Sequence, residues 1–157
     1  MKKLLAIYSL MLVFTACGGS AGKEDNTNTT PDATSAPNGN PSYDPDRGEG
    51  KFHAITLNEA LDASMATKGE KIAELKCTSC HKLTDEKLVG PGWKGVTTRH
   101  KPEWIMNFMT NTDEMINKDP KAQAMLEICM VRMPNQNLSD DDARSILEFL
   151  RKNDGVK

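Results

Sequence analysis

Five consecutive residues, Cys77-Thr78-Ser79-Cys80-His81, carry the chemistry in this sequence. Two thiols three positions apart, with an imidazole directly after the second, are what covalent attachment of one haem requires. The sulfurs form thioethers to the haem vinyl groups, and His81 is set beneath the iron as its proximal ligand. Three other uses of the pair compete. A four-ligand zinc site needs two more ligands, and only Cys129, His100 and His53 remain, none in a second close pair. A thioredoxin-like dithiol should follow a strand in a βαβ pattern, whereas the segment before Cys77 reads as helix. A plain structural disulfide ranks with the dithiol, well behind haem attachment.

A second ligand is sought between the last two helical patterns, where Cys129 to Leu138 holds two methionines. Met130 closes the helical pattern that begins at Asp119 and is assigned to that helix's packing. Met133 lies beyond it, kept extended by Pro134. Met133 is therefore the expected sixth ligand, with Met130 next and Met125 or His100 behind.

Helices must position these groups. Thr67 to Lys76 reads as a first helix, with Gly69, Ile72, Ala73 and Leu75 as its packing side, that delivers the chain to Cys77. Leu83 to His100 is rich in Gly and Pro and reads as a loop wrapped around the haem, with His100 an exposed side chain on it. Pro102 opens a helix to Thr110 with Trp104, Ile105, Phe108 and Met109 facing inward. Asp119-Pro120 opens another, carrying Ala122, Met125, Leu126 and Cys129 along one face, so that Cys129 is expected as a small buried thiol. Ser139 with Asp142 three residues on opens the last helix, in which Ala143, Ile146, Leu147 and Leu150 repeat at core spacing before Gly155. No segment reads as a strand, so the fold class is all-α. About ninety residues are few for a self-sufficient core, and a covalent cofactor supplies the staple such domains need.

The remaining residues precede that domain. Lys2 and Lys3, the apolar run Leu4 to Phe14 and Thr15-Ala16 have the layout of an export signal, too short to span a bilayer. Phe14-Thr15-Ala16-Cys17 resembles the lipobox of bacterial lipoproteins, in which the cysteine is acylated and becomes the first residue of the mature chain. Residues 1–16 are thus expected as a lipoprotein signal peptide, 17–50 as a lipidated disordered linker, 51–66 as an N-terminal extension and 67–157 as the haem domain. The linker is Gly, Ser, Asn, Thr, Pro and Asp with almost nothing to bury, and a coil of that length reaches about 30 Å. Lipid on Cys17 places the protein outside the cytoplasm, anchored to a bacterial membrane, with the haem domain in the periplasm.

From Met65 to Asp154 the order of features resembles the class I mono-haem cytochrome c family. The resemblance rests on Gly69 in the first helix, the Cys77 to His81 motif, the segment Leu88-Val89-Gly90-Pro91-Gly92-Trp93-Lys94-Gly95-Val96, Met133-Pro134, and Leu138-Ser139-Asp140 before the final helix. It implies a small cytochrome c fold in which the first and last helices cross, Gly69 allowing close approach to an aromatic such as Phe149. It implies that the carbonyl of Pro91 accepts the proton of the ligand histidine, and that Arg99 and Trp104 stand where family members bind haem propionates. The Met-Pro pair points again to Met133.

An iron held between His81 and a methionine has no open position for substrate, so one-electron transfer is what remains, and no enzyme is expected. The expected function is that of a membrane-anchored electron carrier of a respiratory chain, exchanging electrons with a redox protein donor and acceptor such as a respiratory reductase or oxidase. Rival readings are a haem subunit of a larger oxidoreductase and a gas-binding or gas-sensing haem domain. A net charge of −2 singles out no partner and no nucleic acid. Ala66 to Lys101 holds eight Lys and Arg against four Asp and Glu, and Pro102 to Lys157 seven against ten. Lys76, Lys82, Lys87 and Lys94 on the basic half either steer an acidic partner or form a solvated face.

Overall fold

The structure is a computed structural model and describes residues 43–157. Cys17, the signal and most of the linker lie outside the described residues. Six helices follow one another among these residues: α1 Ala63–Lys76, α2 Val96–Arg99, α3 Pro102–Thr110, α4 Thr112–Lys118, α5 Pro120–Cys129 and α6 Asp140–Asn153. Among the described residues there is no strand, only an isolated antiparallel bridge between His81 and Lys87.

The crossing of α1 on α6 is the frame. Asp62 caps α1 by accepting from the backbone N–H groups of Ser64 and Met65, so the helix begins one turn earlier than its apolar pattern suggests. Its buried stripe is Ala66, Gly69 and Ala73. Leu75 is not part of it, being 87% exposed; two residues past Ala73 is a 200° turn, onto the far side of the helix. Ser139 caps α6 by accepting from Asp142 N–H, and Ala143, Ile146, Leu147 and Leu150 are buried along its inner side. The carboxylate of Asp142 also forms an ion pair with Lys68 on α1.

Gly69 is at the crossing point. A Cβ there would lie 2.0 Å from the carbonyl oxygen of Ser145 and 2.8 Å from the nitrogen of Ile146, both backbone atoms of α6. Its neighbour is thus the α6 backbone, while Phe149 packs one turn further on against Ala73 and Cys77. Because neither backbone can yield alone, Gly69→Ala is expected to cost about 2 kcal/mol despite the better helix propensity of Ala. For a domain of this size that is a fall in melting temperature of roughly 10 °C, read on the haem-loaded protein. An unchanged melting temperature would show that the helices do not meet this closely.

The segment Tyr43 to Asp62 forms a strap across α3, α4 and α6. Asn107, fully buried on α3, accepts from Phe52 N–H and donates to the carbonyls of Arg47 and Phe52. Asn111 donates to Glu49 O, and Arg151, paired with buried Glu148, donates to the carbonyls of Asn58 and Glu59. Phe52, Ile55 and Leu57 pack onto the core. The expected linker boundary at residue 50 is therefore corrected: residues 43–50 are fastened to the domain. This strap also explains why α3 buries Met106 and Asn107 besides its inward Trp104, Ile105 and Met109.

Helix α4 was not expected from the sequence. It buries Thr112, Met115 and Ile116 and hands over to α5 at Asp119, whose side chain caps α5 through Ala122 N–H.

Candidate functional site

The motif follows directly from α1. Cys77 N–H still bonds to Ala73 O, and the N–H groups of Cys80 and His81 both turn back to Cys77 O at 3.0 and 2.9 Å. One tight turn therefore presents Cys77, Cys80 and His81 together. The two thiols are not joined in a disulfide. Cys77 is buried against Ala73 and Phe149, and burial pushes its thiol up from the ordinary range. Cys80 is half-buried.

The chain then folds back on this turn. Gly90 N–H bonds to Cys80 O, Trp93 N–H to Lys82 O and Lys94 N–H to Thr84 O, which lays residues 88–94 beside the imidazole. His81 Nδ1 is 2.9 Å from the carbonyl oxygen of Pro91. A carbonyl only accepts, so Nδ1 carries the hydrogen and Nε2 keeps its lone pair, the tautomer a metal ligand needs. The ring stacks on Trp93 with centroids 5.1 Å apart. Burial holds the imidazole below its usual pKa, against a smaller upward pull from Pro91, so it stays neutral further into the acid range. Gly90 completes this cradle: a Cβ there would lie 2.4 Å from His81 Cε1.

Two hollows share His81, Pro91, Phe108, Met125 and Met133 in their walls. Cys80, Cys129 and Leu126 line the first, and Arg99, His100, Trp104 and Leu150 the second. Met133 is thus on the same cleft as His81, half-buried against the core. Its loop is tied to α4 by Arg132, which reaches Asp113 and Asn117, and to α1 by Lys76, which donates to Gln136 O. Met130 lines neither hollow; it caps α5 in a left-handed conformation, φ 56°, and is 84% exposed. It therefore does not pack with its helix as its position in the pattern suggested. Met125, which the sequence ranked behind Met130, is the other thioether that lines both hollows. Cys129 is half-buried on the cleft wall rather than inside the core.

The polar side of the cleft differs from expectation. Trp104 is 3% exposed, and its single N–H donates to Asp119 Oδ2 at 2.9 Å. What it brings to the cleft is its ring. Arg99 lines the second hollow and donates to the carbonyls of Lys94 and Gly92. His100 is only part-exposed and stacks on Trp104 at 4.1 Å. His53 is exposed.

These residues fit a covalently bound haem. Two unpaired thiols occupy one turn, a histidine with a free ring nitrogen shares an apolar cleft with the thioethers of Met109, Met125 and Met133, and polar groups sit at one margin. Among the described residues no group of three or more His, Cys, Asp or Glu converges as a metal site, so a zinc centre finds no ligands there.

Comparison with known proteins points the same way. The family model for cytochrome c matches residues 66–154, more than half of the chain. No curated protein matches the chain. Among solved structures, the chain is 37% identical to a cytochrome c from Rhodothermus marinus, with a TM-score of 0.65, covering 67% of this chain and 90% of that one. An engineered cytochrome c from the same organism is similar at 36% identity and a TM-score of 0.64, with the same coverage. That engineered protein bound to a carbene intermediate is similar at 36% identity and a TM-score of 0.61. The chain thus belongs to the cytochrome c family, haem-based electron carriers with one covalently attached haem c.

Proposed function

We propose that the protein is a membrane-anchored electron carrier of a respiratory chain, holding its haem through Cys77 and Cys80 and its iron between His81 and Met133. The observation that carries this reading is the shared cleft: His81 and Met133 line both hollows, and the bond to Pro91 leaves Nε2 of His81 as the ring's only ligating atom. The haem supplies one-electron oxidation and reduction at its iron. The chain's residues do the rest. Pro91 and Gly90 orient the imidazole, Phe108, Ile116 and Leu126 exclude water, and thioether ligation favours the ferrous state. With His81 and Met133 both holding the iron, a substrate would find no open position on it. Carbon monoxide taken up at once by the reduced native protein would overturn this ligation.

The mouth of the cleft supports exchange with a redox protein. Val89 and Val131 line it, and with Leu88, Ile128 and Met130 they are exposed, from 39% for Val89 to 84% for Met130. Such a patch suits brief docking of an apolar partner surface. Lys82 pairs with Glu86, and Lys87 and Lys76 donate to the carbonyls of Ile128 and Gln136. Their charge is held near the mouth without being buried, and association with an acidic partner weakens as salt rises.

The anchor rests on Phe14-Thr15-Ala16-Cys17. No helix of the described residues is long and apolar enough to cross a membrane. Cys17→Ser is expected to move the protein from the membrane fraction to the soluble periplasmic extract without changing its haem spectrum. A variant that remains in the membrane fraction points to another anchor.

A further inference from the structure

His100 has a ring nitrogen with nothing to bond. Nδ1 is shut off from solvent and is the one buried side-chain nitrogen or oxygen, among the described residues, without a hydrogen-bond partner. Buried polar groups are rarely left so, and an orphaned one costs about 1–3 kcal/mol. The ring cannot turn away easily: it is stacked on Trp104 at 4.1 Å, and Trp104 stacks in turn on Phe108 at 5.0 Å. Trp104 is pinned by its bond to Asp119, which also accepts from Tyr43 of the strap. His100 therefore stands in a rigid ladder at the wall of the second hollow, next to Arg99 and on the same cleft as His81.

We propose that His100 donates its Nδ1 hydrogen to a haem propionate and that this bond makes the iron's potential depend on pH. The inference rests on the haem-binding reading above. A haem enters the cleft with two carboxylates as its only charged peripheral groups, and a carboxylate is the acceptor Nδ1 lacks. The other charged groups facing His100 are Arg99 on its own helix, and Lys121 and Asp119 from α5 and its cap; His81, on the same cleft, is held neutral by burial against the upward pull of its bond to Pro91. Burial, Lys121 and Arg99 hold the imidazole below its usual pKa and Asp119 opposes them. An added carboxylate raises it again, toward the range where histidine switches.

The sign follows from charge. Protonated His100 favours ferrous haem, which carries one positive charge fewer than ferric haem, so the potential is higher at low pH and falls as pH rises through the His100 transition. By reciprocity, reduction tightens the hold on the proton. A tenfold difference in proton affinity between the two oxidation states corresponds to about 59 mV.

The test is potentiometric titration of the haem-loaded protein from about pH 5 to 8, in the native chain, His100→Gln and His100→Phe. Gln keeps a donor that does not titrate, and Phe keeps the ring stack without a donor. The native potential is expected to fall across the window and both variants to be flat. The His100 ring protons, followed by NMR, should titrate at higher pH in the ferrous than in the ferric protein. A slope that survives in both variants, or a ring transition that does not move on reduction, would overturn the inference. Haem content by mass is measured first: a chain without covalent haem would overturn the binding reading and this inference together, whereas a loaded chain with an unaltered slope would overturn this inference alone.

Discussion

Replacing Cys77 and Cys80 together with Ser is expected to leave a chain that no longer keeps its haem in acidified organic solvent and that is largely unfolded at micromolar haem. The chain closes its core around the cleft. Ile105, Met109 and Leu150 are buried in the core, yet they also border the second hollow. An empty cleft would return these side chains to water or leave them facing a void, and either is costly. A haem held by thioethers is present at an effective concentration of about 1 mM or more. A thousandfold drop to micromolar free haem removes about 4 kcal/mol of ligand-linked stability, a large share of what a small domain possesses. The single variants separate the two sulfurs. Each keeps one thioether, but Cys77 is 8% exposed against Ala73 and Phe149, whereas Cys80 is half-buried on the cleft wall. Cys77→Ser therefore also buries a hydroxyl with no partner, at about 1–3 kcal/mol, and should melt lower than Cys80→Ser. Equal melting temperatures, or covalent haem surviving in the double variant, would refute this account.

What the sequence revealed was what local chemistry dictates. Pro102, Pro120 and Ser139 mark helix starts because a proline or a capping hydroxyl acts within one turn, and α3, α5 and α6 begin there. The attachment motif is contiguous, so its turn was legible as well. Groups whose partners are distant in sequence were not. Residues 43–50 carry no apolar pattern, and what fastens them is Asn107, Asn111 and Asp119, more than fifty residues away. Helix α4 was hidden because Met115 and Ile116 are its only large apolar residues, although Asp113 and Glu114 in its first turn were a usable start signal. Trp104 was assigned by resemblance to the propionates, but its donor is drawn to Asp119, a carboxylate that sequence analysis treated only as a helix start. His100 was expected as an exposed side chain of a Gly- and Pro-rich loop because better ligand candidates were present; the Trp104 stack, set by α3, is what shields Nδ1.

Met133→Ala is expected to open the iron's sixth position, and the structure changes which control makes that test decisive. The sequence offers Met130 as the rival sulfur, but its 84% exposure and left-handed backbone place it outside both hollows. Met125 is the thioether that lines both hollows with Met133 and His81. It sits on α5, a helix capped at Asp119 and buried at Ala122, so its backbone has little freedom to approach the iron. Met133 rides on a loop before Pro134, held by Arg132 and by Lys76 through Gln136 O, and such a loop can adjust to the ligand bond. Loss of Met133 should abolish the weak sulfur-to-iron charge-transfer band of the ferric protein, let carbon monoxide bind the ferrous form at once, and lower the potential. Axial ligands set potentials over about 0.8 V, so a fall on the order of 0.1–0.3 V is the expected share for one lost thioether. Met125→Leu conserves volume and should cost less than about 1.5 kcal/mol while leaving the band in place. Survival of the band in Met133→Ala together with its loss in Met125→Leu would transfer the ligand role to α5, and with it the task of holding the sulfur from an adjustable loop to a rigid helix.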